Sequence, residues 1–274
     1  MTQTIVKRPD GASIAVSITG AGPDLLLVTG LSGTASFWDP LVPSLSSRFR
    51  VICHDQRGIA NSSRGSLATS IDLLADDCLA ILSHVGSRKA LLLGHSTGGV
   101  ILQSMALKNM TSASPLNIAG LILSGTWAKP NQYMTELFRS RGEILKKTPR
   151  EYAAMLGFLA YPPDWLDRHW QHFQGMLDNA PQLPEQQRMI TERIAAILEF
   201  DRSGEIGKIG IPTVIQGALD DLIVPAFLQR DLAARMPGSA VVMLANGGHF
   251  FPITRPEAFV RSIDSLADRI GLHQ

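Results

Sequence analysis

The stretch ALLLGHSTG at residues 90–98 decides how this 274-residue chain folds. Its four leading residues are all apolar, as in a strand that is buried on both faces of a parallel sheet. A Gly-x-Ser-x-Gly turn follows, and the apolar spacing of residues 99–108 then predicts a helix. In such a strand–turn–helix unit the glycines leave room for neighbouring chain, and the central serine is held at the edge of the sheet. Although the bare pattern also occurs by chance in loops, its context here predicts that Ser96 is a nucleophile.

Further apolar runs of the same kind alternate with helical patterns along most of the chain. Such alternation is typical of βαβ units, which build a parallel sheet with helices on its faces. The first residues differ, since two short segments around Asp10 and Gly11 predict an antiparallel hairpin. The predicted fold class is therefore α/β, with a mostly parallel sheet flanked by helices. The predicted strands are residues 4–6, 13–18, 25–28, 51–53, 90–93, 121–123, 213–215 and 241–243, and the predicted helices are 38–47, 71–85, 99–108, 226–235 and 256–270.

Residues 127–208 break this alternation, because they show helical patterning without a convincing buried strand. We therefore expect one core, formed by residues 1–126 and 209–274, with residues 127–208 as a helical lid inserted after one strand. Ligands of open α/β sheets bind at the carboxyl ends of the strands, which such a lid would cover. Its aromatic side chains can pack the interior of the lid or face a pocket. The candidates for a pocket are Trp127, Tyr161 and Trp165.

The composition excludes several classes of protein. The net charge is only +1 and basic residues are scattered, so we expect no nucleic-acid partner. No apolar stretch is long enough for a membrane span, and the first residues lack the pattern of a secretory signal. Two cysteines give neither a disulfide framework nor a metal-binding spacing. We expect a cytoplasmic protein that acts on a small molecule without a metal or organic cofactor. The sequence does not decide between a monomer and a homodimer.

A histidine and a pair of aspartates stand where a serine nucleophile needs a base and an acid. His249 comes after the predicted strand 241–243 and directly follows two glycines, although any one of seven histidines could also be a surface loop residue. Asp220 and Asp221 come after the predicted strand 213–215. A carboxylate is needed to hold the histidine in the right tautomer. Two adjacent side chains point in different directions, so only one aspartate can do this and the other is expected to cap a turn.

The loop TGLSG, residues 29–33, follows the predicted strand 25–28. A backbone N–H of this loop, together with that of Thr97, would form an oxyanion hole for a tetrahedral intermediate. An ordinary glycine turn is the alternative interpretation. The order of serine, aspartate and histidine along the chain agrees with one known arrangement of such a triad.

Taken together, these segments resemble the α/β-hydrolase superfamily over nearly the whole chain. The resemblance includes HDQRG at residues 54–58, which looks like the Asp-x-Arg-Gly turn of that superfamily and is interpreted as structural. In relatives the catalytic aspartate usually precedes a proline by four positions, so Pro225 points to Asp221. Ala218 stands where relatives usually have a glycine, and this departure keeps Asp220 as an alternative.

The same resemblance implies the oxyanion donors. Relatives usually carry His-Gly in this loop, whereas this chain has Thr29 before Gly30. The change does not remove a backbone donor, which the resemblance places at Leu31, paired with Thr97. The resemblance thus implies a serine hydrolase in which Ser96 forms an acyl-enzyme and His249 acts as the base.

A narrower resemblance concerns the substrate. The segments YPPDW at residues 161–165, HFQG at 172–175 and DDLIVP at 220–225 look like the aminoacrylate hydrolases of pyrimidine degradation. They are similar, more loosely, to enol-lactone hydrolases. Two of the segments lie in the predicted lid, where a substrate would be selected. The resemblance implies a small-molecule ester, amide, carbamate-like or enamine substrate.

Other activities are compatible with the same residues. Carbon–carbon hydrolases, cofactor-free haloperoxidases and hydroxynitrile lyases share this triad, so the fold does not fix the reaction. A ligand receptor built on the same fold would also keep the triad but turn over slowly.

Overall fold

The computed structural model describes residues 1–31 and 33–272, and it contains a single eight-stranded sheet within them. The strands follow the order β1-β2-β4-β3-β5-β6-β7-β8. β1 and β2 form the predicted antiparallel hairpin, β2 pairs antiparallel with β4, and all other pairs are parallel. The predicted fold class is confirmed. The strands are β1 (Thr2–Lys7), β2 (Ser13–Thr19), β3 (Asp24–Val28), β4 (Arg50–His54), β5 (Lys89–His95), β6 (Asn117–Ser124), β7 (Thr213–Ala218) and β8 (Ala240–Leu244).

Helices cover both faces of the sheet, which explains why the central strands are apolar throughout rather than alternating. On β3, Leu26 packs into one apolar cluster, which also contains residues of the two helices that follow β4 and β5. Its neighbours Leu25 and Leu27 pack into the opposite cluster, which contains Phe259 near the end of the chain. The helices are α1 (Val42–Leu45), α2 (Ile71–His84), α3 (Thr97–Met110), α4 (Gln132–Lys147), α5 (Pro149–Ala160), α6 (Pro163–Arg168), α7 (Trp170–Asp178), α8 (Pro184–Glu199), α9 (Ala226–Arg235), α10 (Phe251–Thr254) and α11 (Pro256–Arg269).

One predicted helix is wrong. Residues 38–47 do not form a continuous helix but a 3₁₀ turn at Ala35–Trp38 and the single turn of α1. Pro40 and Pro43 explain the interruption, because proline lacks a backbone N–H and its ring clashes with the preceding turn. The other predicted helices and strands are present, with ends that differ by a few residues.

All the chain between β6 and β7 is helical or irregular, as predicted for residues 127–208. It holds the five helices α4 to α8 and a 3₁₀ turn at Ile206–Lys208. Packing contacts join α4 with α5 and α8, and α5 with α7. Within the described residues, no helix combines the length and the apolar character needed to cross a membrane.

The turn after β4 is held by buried charges, in agreement with its structural interpretation. The guanidinium of Arg57 donates to both carboxylate oxygens of Asp77 at 2.7 and 2.8 Å, and it also pairs with Asp10. The carboxylate of Asp55 accepts from the backbone N–H of Ala35 at 2.9 Å. Buried charges are tolerated when they are paired in this way. These contacts of Asp55 and Arg57 fix the backbone on either side of Gln56.

Candidate active site

Ser96 lies on a sharp turn between β5, which ends at His95, and α3, which begins at Thr97. Its φ angle is +56°, and it is one of two non-glycine residues with positive φ in the described chain. Such a conformation is costly for a residue with a Cβ and is concentrated at functional sites. A Cβ on Gly94 would overlap the carbonyl oxygen of Gly98, and one on Gly98 would overlap that of Val28. Both glycines of the motif are therefore required by close backbone approach.

His249 is held by one member of the aspartate pair. The Nδ1 atom of His249 lies 2.8 Å from Oδ2 of Asp221, and both residues are buried. The other carboxylate oxygen, Oδ1, accepts from the backbone N–H groups of Ile223 at 2.9 Å and Val224 at 2.8 Å. These bonds fix the carboxylate, which in turn fixes the orientation of the imidazole and favours the tautomer with the proton on Nδ1.

Asp220 makes a different set of contacts. Its two carboxylate oxygens accept from the backbone N–H groups of Gly247 at 3.0 Å and Gly248 at 2.9 Å. Both glycines have positive φ, so the loop before His249 adopts a conformation that favours glycine. Asp220 thus caps the turn that carries the histidine, which is the role expected for whichever aspartate does not contact the imidazole.

His95, beside Ser96, packs against the imidazole of His249. The two ring centres are 4.9 Å apart, and Nδ1 of His95 lies 3.0 Å from the hydroxyl of Ser124. Burial, followed by the proximity of His249, holds the pKa of His95 well below its usual value. His95 is therefore neutral, and its contacts are those of a packed neighbour of the turn.

The loop after β3 closes over Ser96. A Cβ on Gly30 would lie 3.2 Å from Cβ and 3.6 Å from Oγ of Ser96, so the loop touches this side chain. The hydroxyl of Thr29 donates to the carbonyl oxygen of Gly33 at 2.9 Å and closes the loop. Leu31 follows Gly30 and is buried. The fourth residue of the predicted oxyanion loop, Ser32, lies outside the described residues.

Two polar side chains connect this loop to helix α8. The amide nitrogen of Gln56 donates to the carbonyl oxygen of Thr29 at 2.7 Å and contacts that of Gly30 at 3.4 Å. The amide oxygen of Gln56 accepts from the guanidinium of Arg193, which also donates to the carbonyl oxygen of Arg57 at 2.8 Å. Burial lowers the pKa of Arg193 to about 10, so it keeps its charge at neutral pH.

A cavity of about 490 Å³ lies between helices α5, α7 and α8 and the loops after β3 and β4. Volumes of this order are typical of small-molecule sites. Its walls are mostly apolar and contain no acidic residue in the described chain. Leu31 belongs to the wall, which joins the cavity to the loop that touches Ser96. The wall also includes Ala153 and Leu156 of α5 and Arg193 of α8.

The three aromatic pocket candidates are all buried, and none belongs to the wall of this cavity. The rings of Tyr161 and Trp165 stack at 4.6 Å, and Tyr161 also contacts Phe250 at 5.1 Å. Phe250 directly follows His249, so Tyr161 supports the histidine loop directly and Trp165 supports it through its stacking on Tyr161. Trp127 is completely buried, and its backbone carbonyl accepts from the side chain of Gln103 at 2.9 Å.

Apart from Leu31, the residues of the cavity wall are not predicted from the sequence. Ala153 and Leu156 lie on α5, and Arg193 lies on α8. A single helix gives no sign of which of its apolar residues face a cavity, since the same spacing serves a packed core. In the described part of the chain, no cluster of histidine, cysteine, aspartate or glutamate has the arrangement of a metal site.

The family with the description "alpha/beta hydrolase fold" matches residues 23–256 of this sequence, most of its length. The chain therefore belongs to the alpha/beta hydrolase fold family. It is 31% identical over 251 residues to a candidate carbamate hydrolase RutD of Agrobacterium fabrum, covering 86% of this chain and 90% of that protein. A relative of the same name from Variovorax paradoxus is also 31% identical and covers 91% and 93% of the two chains. Like these relatives, the protein is a hydrolase.

Solved structures agree with this fold. A hydrolase from Pseudomonas aeruginosa superposes with a TM-score of 0.84 at 26% identity, covering 97% of this chain and 98% of that one. The enol-lactonase from Burkholderia xenovorans has a TM-score of 0.82 at 22% identity, with coverage of 94% and 97%.

Proposed function

We propose that this protein is a serine hydrolase that cleaves a small-molecule ester, amide, carbamate-like or enamine substrate through an acyl-enzyme on Ser96. The observation that carries the proposal is the buried contact between His249 and Asp221, on a loop that packs beside the strained turn of Ser96. The name of the curated relatives, which refers to carbamates, supports the inclusion of carbamate-like substrates.

The proposed reaction has two steps. The hydroxyl oxygen of Ser96 attacks the substrate carbonyl carbon while Nε2 of His249 takes the hydroxyl proton, and this proton then passes to the leaving group. His249 then takes a proton from a water molecule as the water oxygen attacks the acyl carbon, and it returns this proton to Oγ of Ser96 as the bond between the acyl carbon and Oγ breaks, which releases the acid and restores the enzyme. Asp221 stabilises the imidazolium in both steps. The backbone N–H groups of Leu31 and Thr97 are proposed to bind the oxyanion.

The remaining parts of the proposal concern the surroundings of the site. Residues 1–126 and 209–274 form the hydrolase core, and residues 127–208 form a lid over the carboxyl ends of the strands. Tyr161 and Trp165 are proposed to act through the histidine loop that they support. The substrate is a small molecule, the proposed location is the cytoplasm, and a homodimer would be compatible with the site.

A substrate panel tests this function. Purified protein is expected to release nitrophenol from p-nitrophenyl esters and from p-nitrophenyl carbamates, whereas Ser96→Ala protein, prepared in parallel, gives only the background rate. A folded wild-type protein that cleaves none of these compounds would contradict the proposal and favour a lyase, a carbon–carbon hydrolase or a slow receptor on the same residues.

A further inference from the structure

The cavity between the lid helices and the core is adjacent to the proposed oxyanion loop. Leu31 lines the cavity and, by the function proposed above, its backbone N–H is a donor of the oxyanion hole. A carbonyl carbon attacked by Ser96 would place its oxygen at this N–H group. The acyl substituent on the same carbon would then pass the Leu31 side chain and enter the cavity.

The size and lining of the cavity define what it can accept. At about 490 Å³ it has room for roughly 16 water-sized groups, far more than a simple carbamate fills. Most of the wall is apolar, with side chains such as Leu156 on α5 and Ile190 on α8. The cation in the wall, Arg193, is already engaged by Gln56 and by the carbonyl oxygen of Arg57. An apolar group therefore fits the available surface better than a charged one.

We propose that this cavity binds the acyl part of the substrate, and that the preferred acyl group is an apolar chain of medium length. The inference rests on the proposed function, because it assigns the acyl half of the substrate of Ser96. The inference specifies the length and polarity of the acyl group, which the names of the carbamate hydrolase relatives do not specify.

A series of p-nitrophenyl esters from acetate to octanoate tests the inference. Each methylene that enters an apolar cavity is expected to raise kcat/KM about fourfold, so hexanoate should exceed acetate by on the order of 100-fold. The variant Ala153→Phe, which puts a ring into the cavity from α5, should lower the ratio of the hexanoate kcat/KM to the acetate kcat/KM at least tenfold.

The matched control is Arg150→Phe, which adds the same ring on the exposed side of α5. It should leave the ratio unchanged. If Ala153→Phe does not fold, Leu156→Trp on the same wall carries the same expectation. A wild-type preference for acetate, or a hexanoate preference that neither blocking variant reduces, would overturn the inference and leave the hydrolase function intact. A folded wild-type protein that hydrolyses none of the esters would instead contradict the proposed function.

The contact between Gln56 and Arg193 carries a second, independent inference. Arginine only donates hydrogen bonds, so the oxygen of the Gln56 amide must face Arg193. The amide nitrogen is thereby directed at the carbonyl oxygens of Thr29 and Gly30. Arg193 of helix α8 thus sets the orientation of the Gln56 amide. This amide in turn holds the loop 29–33, which touches Ser96.

We infer that Gln56 and Arg193 are positioning residues that couple helix α8 to the oxyanion loop. Small displacements of catalytic groups are costly, since a shift of about 1 Å can reduce a rate on the order of 100-fold. The variant Gln56→Met, similar in size but without polar atoms, is expected to lower kcat by about 10- to 100-fold with KM of a short ester within about threefold.

The neighbouring residue on α8 provides the control. Glu192 binds Arg64 at 2.8 Å, and thereby also joins α8 to the segment after β4. Among the described residues, no hydrogen bond or ion pair joins Glu192 to the loop 29–33. Glu192→Gln should leave kcat within about twofold. Arg193→Met should reproduce the loss in kcat, and Arg193→Lys, which keeps a donor, should recover part of it. Equal kcat values for folded Gln56→Met and Glu192→Gln proteins, or no recovery with lysine, would overturn the inference.

Discussion

Replacing Ser96 by alanine is expected to lower kcat by about 10⁶-fold, the largest effect of any single substitution in this protein. In the proposed mechanism the hydroxyl oxygen of Ser96 attacks the substrate and forms the acyl-enzyme, and alanine lacks this oxygen. Steady-state hydrolysis of a p-nitrophenyl ester, with protein free of wild-type contamination, measures the loss.

The same variant should keep its fold. Alanine has the same Cβ as serine, so the positive φ at position 96 costs the variant no more than it costs the wild type. Its thermal unfolding midpoint is therefore expected within a few degrees of the wild-type value. A folded Ser96→Ala protein that retains more than about a hundredth of the wild-type kcat would contradict the role of Ser96, since removal of a triad member typically costs far more.

The second largest effect is expected at Asp221. Asn in place of this aspartate keeps the shape of the side chain but favours the wrong histidine tautomer, and comparable changes lower kcat by about 10⁴-fold. Because Oδ1 also accepts two backbone N–H groups, the amide nitrogen of the variant is expected to turn toward the imidazole. The measurement is kcat for a p-nitrophenyl ester across a range of pH.

Asp220→Asn is the matched control, as it makes the same chemical change one residue away. Its carboxylate binds Gly247 and Gly248 rather than the imidazole, so an amide at position 220 leaves one backbone N–H without an acceptor. We expect a loss of stability of about 1–3 kcal/mol and a decrease in kcat of about tenfold or less. A larger decrease in kcat for Asp220→Asn than for Asp221→Asn would reverse the assignment of the two aspartates.

These two aspartates show where the sequence is informative and where it is not. The residues after a strand at the edge of a parallel sheet can be predicted to face a site, because the strand pattern is local. Which of two adjacent carboxylates reaches His249 depends on contacts made 28 residues further along the chain. The position of Pro225 favours Asp221, and Oδ2 of Asp221 lies 2.8 Å from Nδ1 of His249.

Local proline effects and contacts between distant residues also explain three other features that the sequence pattern does not predict. The helix predicted at 38–47 follows an apolar spacing that Pro40 and Pro43 override locally. An aromatic side chain in the lid can face a pocket or fill the interior, and large rings such as that of Trp127 gain much from complete burial. Arg193 looks like an exposed helix residue in the sequence, since its partner Gln56 lies 137 residues away.

Covalent labelling tests directly whether Ser96, His249 and Asp221 form an active triad. The protein is incubated with a fluorophosphonate probe, and its intact mass and the modified peptide are measured, with Ser96→Ala as the control. We expect one adduct, located on Ser96 and absent from the variant, because only an activated serine reacts readily with such a probe. An unlabelled folded protein, or an adduct on another residue, would contradict the claim that Ser96, His249 and Asp221 form an active triad.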